Sequence, residues 1–186
     1  MIPPAPGRVE RAERELRDFA RLQVRAGLLS PEAQYAEVSA AVAAELPHTD
    51  ASVLARAWLA AARKELDAEA AGWPAVTDHD RLAAVFAECT EHDVPVLQGV
   101  EDHWVAKRFL DAADPKPRGV VWFTQPDVWH AIDEGMLEVN LWHGDTANAA
   151  PGDPLLTAVL SCFERHGLRA HFDEGRIEVA AHWQRR

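Results

Sequence analysis

The chain has 186 residues, 48% of them apolar, with seven tryptophans and a formal net charge of −11. That length fits one domain with a helical extension or two small domains, and the apolar content argues against a disordered chain. The acidic balance, with a pI near 5.2, leaves no surplus of Lys and Arg to release counterions from a phosphate backbone, so nucleic acid is not an expected partner.

Residues up to Gly7 are proline-rich and read as a frayed start. From Arg8 to Ala26, Val9, Leu16, Phe19, Ala20 and Leu22 fall near helical spacing, and Gly27 is a natural stop. Ser30, Pro31 and Glu32 give an N-cap, a first-turn proline and a first-turn acid for a second helix, which runs to about Leu46 before Pro47. Thr49 or Asp50 caps a third, with Val53, Leu54, Ala57, Trp58, Ala61 and Leu66 as its buried stripe and an end near Gly72. No strand candidate occurs in this first part.

The character changes after Trp73 and Pro74. Thr77 and Asp78 cap a helix whose stripe is Leu82, Val85, Phe86 and Cys89. Val94 to Gln98 is a short strand, and Pro95 suits an edge position. Glu101 to Ala113 reads as helix, with Trp104, Val105, Arg108, Phe109 and Ala112 spaced for one face. AADPKPRG follows as a loop and is the expected flexible point. Gly119 to Thr124 is apolar on both sides, as a central strand would be. A short helix over Asp127 to Glu134 leads to a strand, Met136 to His143, with Leu137, Val139 and Leu141 on one face. That strand–helix–strand run implies a parallel crossover.

After a loop, Asp153 and Pro154 start a helix carrying Leu155, Leu156, Val159, Leu160 and Phe163. The last element is a hairpin. A two-residue turn at Glu174 and Gly175 sets Asp173 opposite Arg176, Phe172 opposite Ile177, His171 opposite Glu178 and Ala170 opposite Val179. The expected whole is an α+β protein: a helical N-terminal region over residues 1–72, packed as one compact unit on a mixed sheet of four or five strands over residues 73–186. Trp73 is expected to lie largely buried where the two parts meet.

Cys89 and Cys162 are the two cysteines, without a CxxC pair; on apolar helix stripes they read as buried thiols of a reducing cytosol. No stretch has the roughly 18 apolar residues that span a bilayer, and the opening residues lack a signal peptide's apolar run. A cytoplasmic location without a membrane partner is the expectation.

The segment WPAVTDHDRLAAVF, with Gln125 and Asp127 after the GVVWF strand, Gly135, Leu137 and Gly144, and then Gly167, Leu168, Phe172, Asp173, Arg176, Ile177, Val179 and Trp183, resembles a bacterial family of domains of unknown function, number 6891. The resemblance covers about Trp73 to Arg186, and the helical start more loosely. It implies a fold and no known activity. Members of that family typically carry a cysteine cluster after the first strand, where this chain has Gln98, Gly99, Val100 and Glu101. A metal or redox role resting on such cysteines does not carry over.

The signals for chemistry are few. Gln125 and Asp127 follow the carboxyl end of the central strand, where open α/β sheets place ligands, and Trp129 lies nearby; a first-turn acid of a helix explains Asp127 as well. Asp78 reads as a cap, and Asp80 with Arg81 as an ion pair. His143, His171 and His182 could converge on a metal, yet no HxH or HxxxH spacing occurs and Glu178 already partners His171, so neither a metal nor a cofactor is expected. There is no phosphate loop, GxSxG, HExxH or Rossmann glycine pattern. Trp104 and Trp142 are the candidates for a protein-binding patch, Trp142 either packing under a helix or lying exposed. The leading expectation is therefore a non-enzymatic interaction or regulatory module with a protein partner. The alternative is a small enzyme or ligand-binding domain using Gln125, Asp127 and Trp129.

Overall fold

The structure, a computed structural model, describes residues 6–186. The expected frayed start therefore falls mostly on residues outside those described, while Pro6 and Gly7 already belong to the first helix. The described chain forms α1 (Pro6–Ala26), α2 (Pro31–Glu45), α3 (Ala51–Ala70), α4 (Asp78–Glu91), β1 (Val96–Val100), α5 (His103–Ala112), β2 (Gly119–Thr124), α6 (Gln125–Asp133), β3 (Met136–His143), α7 (Pro154–Arg165), β4 (Arg169–Asp173) and β5 (Arg176–Ala180). It divides into two compact units, one ending at Trp73 and taking in Arg186, the other Pro74–Arg185. No described helix is long and apolar enough to cross a membrane.

In the first unit, helix ends follow their local chemistry. The Ser30 hydroxyl accepts the Ala33 N–H at 3.2 Å ahead of Pro31, and Asp50 accepts from Ser52 and Val53. Leu16 and Ala20 of α1, Val38 and Val42 of α2, and Ala55 of α3 form a core with Leu46. The stripe expected on α3 is rotated. Val53 is 55% exposed, and Ala57 and Ala61 also face solvent, while Ala55, Ala62 and Leu66 are buried. An alanine-rich helix offers two apolar stripes, and the sequence alone does not choose between them. Trp73 is half-buried beside Val24, Ala62 and Leu66, less covered than expected because it follows the last turn of α3 instead of lying on its stripe.

The second unit is built on one mixed sheet, ordered β1-β2-β3-β5-β4. β1 lies at the edge, as Pro95 suggested, and runs parallel to β2. The strand begins at Val96, two residues later than expected, and its register slips between Leu97 and Val100, where Gly99 takes a φ of 61°. β2 and β3 are antiparallel, with Val121 opposite Leu141 and Trp122 opposite Asn140. The parallel crossover expected between them does not form. α6 starts directly at the end of β2 and has nine residues, which turns the chain but does not carry it back along the sheet; parallel neighbours need a dozen or more connecting residues. The longer β1–α5–β2 link supplies the parallel pair instead.

The hairpin has the expected register: Asp173 faces Arg176, Phe172 faces Ile177, and His171 faces Glu178 at 3.4 Å. Both turn residues, Glu174 and Gly175, have positive φ, the mark of a type I′ turn.

One sheet face carries Val121, Phe123, Leu137, Val139, Leu141, Ile177 and Val179, all buried. Phe123 meets Phe86 of α4 at 5.6 Å and the Trp183 ring at 6.0 Å. Beyond β5 the chain is tied down by Ala181 N–H to Gly135 O and Trp183 N–H to Ala131 O. The His182 N–H donates to Asp78 Oδ2 at 3.1 Å.

Glu88 braces α4 against α7. Its Oε1 accepts Arg165 Nε at 2.8 Å and its Oε2 lies 2.8 Å from His166 Nε2. The Arg165 hydrogen bond, more than any other contact, holds the carboxyl below its ordinary value. A depressed folded pKa stabilises the fold above the unfolded value, about 4.3 for Glu, and that contribution is lost as pH falls through the folded value. Glu88→Gln should therefore be less stable than the parent at neutral pH, with the gap closing below roughly pH 4. Denaturation midpoints across pH test this; a gap that stays constant into acid would remove the brace.

Candidate interaction surface and strand-end cluster

The second face of the sheet sets the phase of α5. Asp102 caps this helix by accepting the Trp104 N–H at 2.8 Å and the Val105 N–H at 3.3 Å. Ala106 and Leu110, one turn apart, are fully buried on Val120 and Trp122, with Leu97, Val100 and Trp142 packed around them. The opposite side of α5 is thereby turned outward. Trp104 is 52% exposed and Phe109 36% exposed, and Arg108 and Ala112 are exposed on the same side. The residues spaced for one face do share a face, with the half-buried Val105 among them, and it looks into solvent.

Exposure of single apolar residues is ordinary. A tryptophan, a phenylalanine and an arginine on one rigid helix face are a stronger signal, because these types anchor protein interfaces. Half a tryptophan is on the order of 100 Å², so covering Trp104 is worth up to about 3 kcal/mol. Within the face, the His103 ring lies 4.6 Å from Trp104. Lys107 pairs with Asp111 at 2.6 Å, holding both charges along the helix.

Trp142, the other aromatic candidate, is half-buried under α5 and meets Trp122 edge-on at 5.1 Å. It takes the packing alternative more than the exposed one. It connects the outward face of α5 to the sheet through the buried side of that helix.

The strand-end candidates are placed by the β2–α6 junction. Gln125 is the first residue of α6 and Asp127 the third. Asp127 Oδ2 accepts both the N–H and the O–H of Thr124, each at 2.7 Å. Its Oδ1 lies 4.0 Å from Arg176 Nη1, and the same guanidinium pairs with Glu138 of β3. Asp127 thus fastens the first turn of α6 to β2 and joins a polar chain reaching β5. Trp129 is half-buried on α6 between the buried Val128 and the half-buried His130. The brace is a structural use of the carboxylate; a general base needs an oxygen turned toward a reacting proton.

The histidines singled out in the sequence have local contacts. His143 Nε2 lies 2.5 Å from Asp153 Oδ2, His171 pairs with Glu178, and the His182 ring sits against Gly135. Among the described residues no group of three or more His, Cys, Asp or Glu could hold a metal ion. The α4 cap is Thr77 with Asp80, whose Oδ2 accepts the Thr77 N–H at 2.8 Å. Asp78 Oδ1 sits 4.0 Å from Arg81 Nη1. Cys89 and Cys162 are both buried free thiols, and burial pushes the Cys89 thiol up to about 12, far from a nucleophilic thiolate.

Sequence reasoning missed two partners. In the sequence Arg176 shows only as the cross-strand mate of Asp173, because its reach to Asp127 spans separate elements. Phe109 belongs to a helical stripe, and only the seating of Ala106 and Leu110 shows which way that stripe faces. Compared with known proteins, residues 9–186 match the family model described as Domain of unknown function (DUF6891). No curated protein and no solved structure matches the chain.

Proposed function

The chain belongs to the DUF6891 family, and from that premise we propose that it is a non-enzymatic protein-interaction or regulatory module that docks a protein partner through the outer face of α5. The observation that carries this reading is Trp104 at 52% exposure beside exposed Arg108 and Phe109. Ala106 and Leu110 anchor the helix from behind, so the face is presented rigidly and little ordering is needed on binding. The alternative, a ligand or catalytic site at Gln125, Asp127 and Trp129, asks for a carboxylate oxygen free to meet a ligand. Asp127 has Oδ2 on Thr124 and Oδ1 toward Arg176, which favours the interaction reading.

Trp104→Ser should leave the melting temperature within a degree or two of the parent, because the ring is mostly in water. The same variant should lose a partner that the parent captures reproducibly from a lysate of cells that naturally make the protein. Parent and variant capturing the same set, or neither capturing anything, would overturn the proposal.

A further inference from the structure

We infer that the groove between α1 and α3 in the first unit binds a small organic anion with a flat apolar body, an aromatic carboxylate. α1 and α3 form an open groove of about 570 Å³ lined by Arg14, Arg17, Asp18 and Arg21 from α1 and by Trp58, Glu65 and two alanines from α3. That volume falls in the roughly 300–1,000 Å³ range of small-molecule sites. The three arginines stand at i, i+3 and i+7, so they follow one line along α1. Three guanidinium groups face two carboxylates in this lining, and Glu13 beside it pairs with Arg17, which leaves Arg14 as the cation to meet an added anion.

The arginines are not equivalent. Arg21 Nε pairs with Asp18 at 2.8 Å and Arg17 with Glu13 at 3.4 Å. Arg17 also lays its guanidinium carbon 5.5 Å from the Trp58 ring centre. Arg14 takes no part in those two pairs, and its fork is the one suited to a carboxylate in two-point fashion. The indole of Trp58, shared with the Arg17 guanidinium, and the two alanines beside it provide the apolar wall for a flat ring. Arg14 selects its charge. A neutral ring of the same size lacks that second contact, and a phosphate without a ring lacks the first.

Titration calorimetry of the full chain with naphthoate, and with uncharged naphthalenemethanol as control, tests the site. Saturable binding of naphthoate at one site per chain is expected, with at least about tenfold weaker binding of the alcohol. Arg14→Gln should weaken naphthoate at least about tenfold with helix content unchanged by circular dichroism. Trp58→Phe, which keeps an aromatic wall, should weaken it less than Trp58→Ala. Absence of saturable naphthoate binding, equal binding of the alcohol, or an Arg14→Gln variant that binds like the parent would each overturn the inference.

Discussion

Replacing Phe123 by alanine is expected to cost about 3–5 kcal/mol of stability, the usual range for deleting a fully buried phenylalanine ring. Phe123 has no exposed surface, and it is the central ring between Phe86 on α4 and Trp183 in the segment after β5. Those two neighbours come from opposite ends of the second unit's sequence. The void left by alanine would be walled by backbone of β2 and by two large rings held elsewhere, so little of it can collapse. A loss of this size is a fifth or more of the roughly 5–15 kcal/mol that stabilises a typical domain. Denaturant unfolding followed by near-ultraviolet circular dichroism reads it. A change below about 1 kcal/mol would mean that the ring is not the packing centre of the sheet's covered face.

Gly144→Ala should be nearly as damaging for a different reason. A Cβ on Gly144 would sit 2.2 Å from the Pro117 carbonyl oxygen and 3.4 Å from its carbon. Both atoms are backbone, so no rotamer change relieves the clash. The Gly144 N–H also donates to Arg118 O at 3.3 Å, which ties the loop after β3 to the entry of β2. Separating them should cost about 2–3 kcal/mol, the upper part of the overpacking range. Gly72→Ala is the control. Its added Cβ would meet nothing closer than Glu69 O at 3.5 Å, and its stability should stay within about 0.5 kcal/mol of the parent. Equal effects from the two substitutions would show that close approach is not what requires glycine at position 144.

Much of this fold was legible because independent signals agreed. In the hairpin, alternation, a Glu174–Gly175 turn and the pairing of His171 with Glu178 all demand one register, and a slip by one residue would put Ile177 and Val179 in water. In α4 the buried set Leu82, Val85, Phe86 and Cys89 has a single consistent stripe. The glycines of the family pattern have plain physical reasons: Gly144 admits a neighbouring backbone, and Gly135 turns from α6 into β3 at a φ of +72° with the His182 ring against it.

The rest depended on choices that local sequence leaves open. α5 carries apolar residues on both sides, so its outward face follows from which side meets Trp122 and Val120. The antiparallel β2–β3 pairing follows from the short, tightly joined α6 and not from the strand–helix–strand pattern. Arg176 finds Asp127 and Glu138 only because the sheet places β5 next to β3. In each case the deciding information is tertiary, and the interaction face on α5 belongs to this class.

Hydroxyl-radical footprinting compares the side-chain exposure of the purified chain with that of the same chain in native lysate. Trp104 and Phe109 should be readily oxidised in the purified protein and shielded in the lysate, while the exposed Val53 on α3 reacts alike in both. Equal oxidation of Trp104 in the two settings would contradict the α5 docking face.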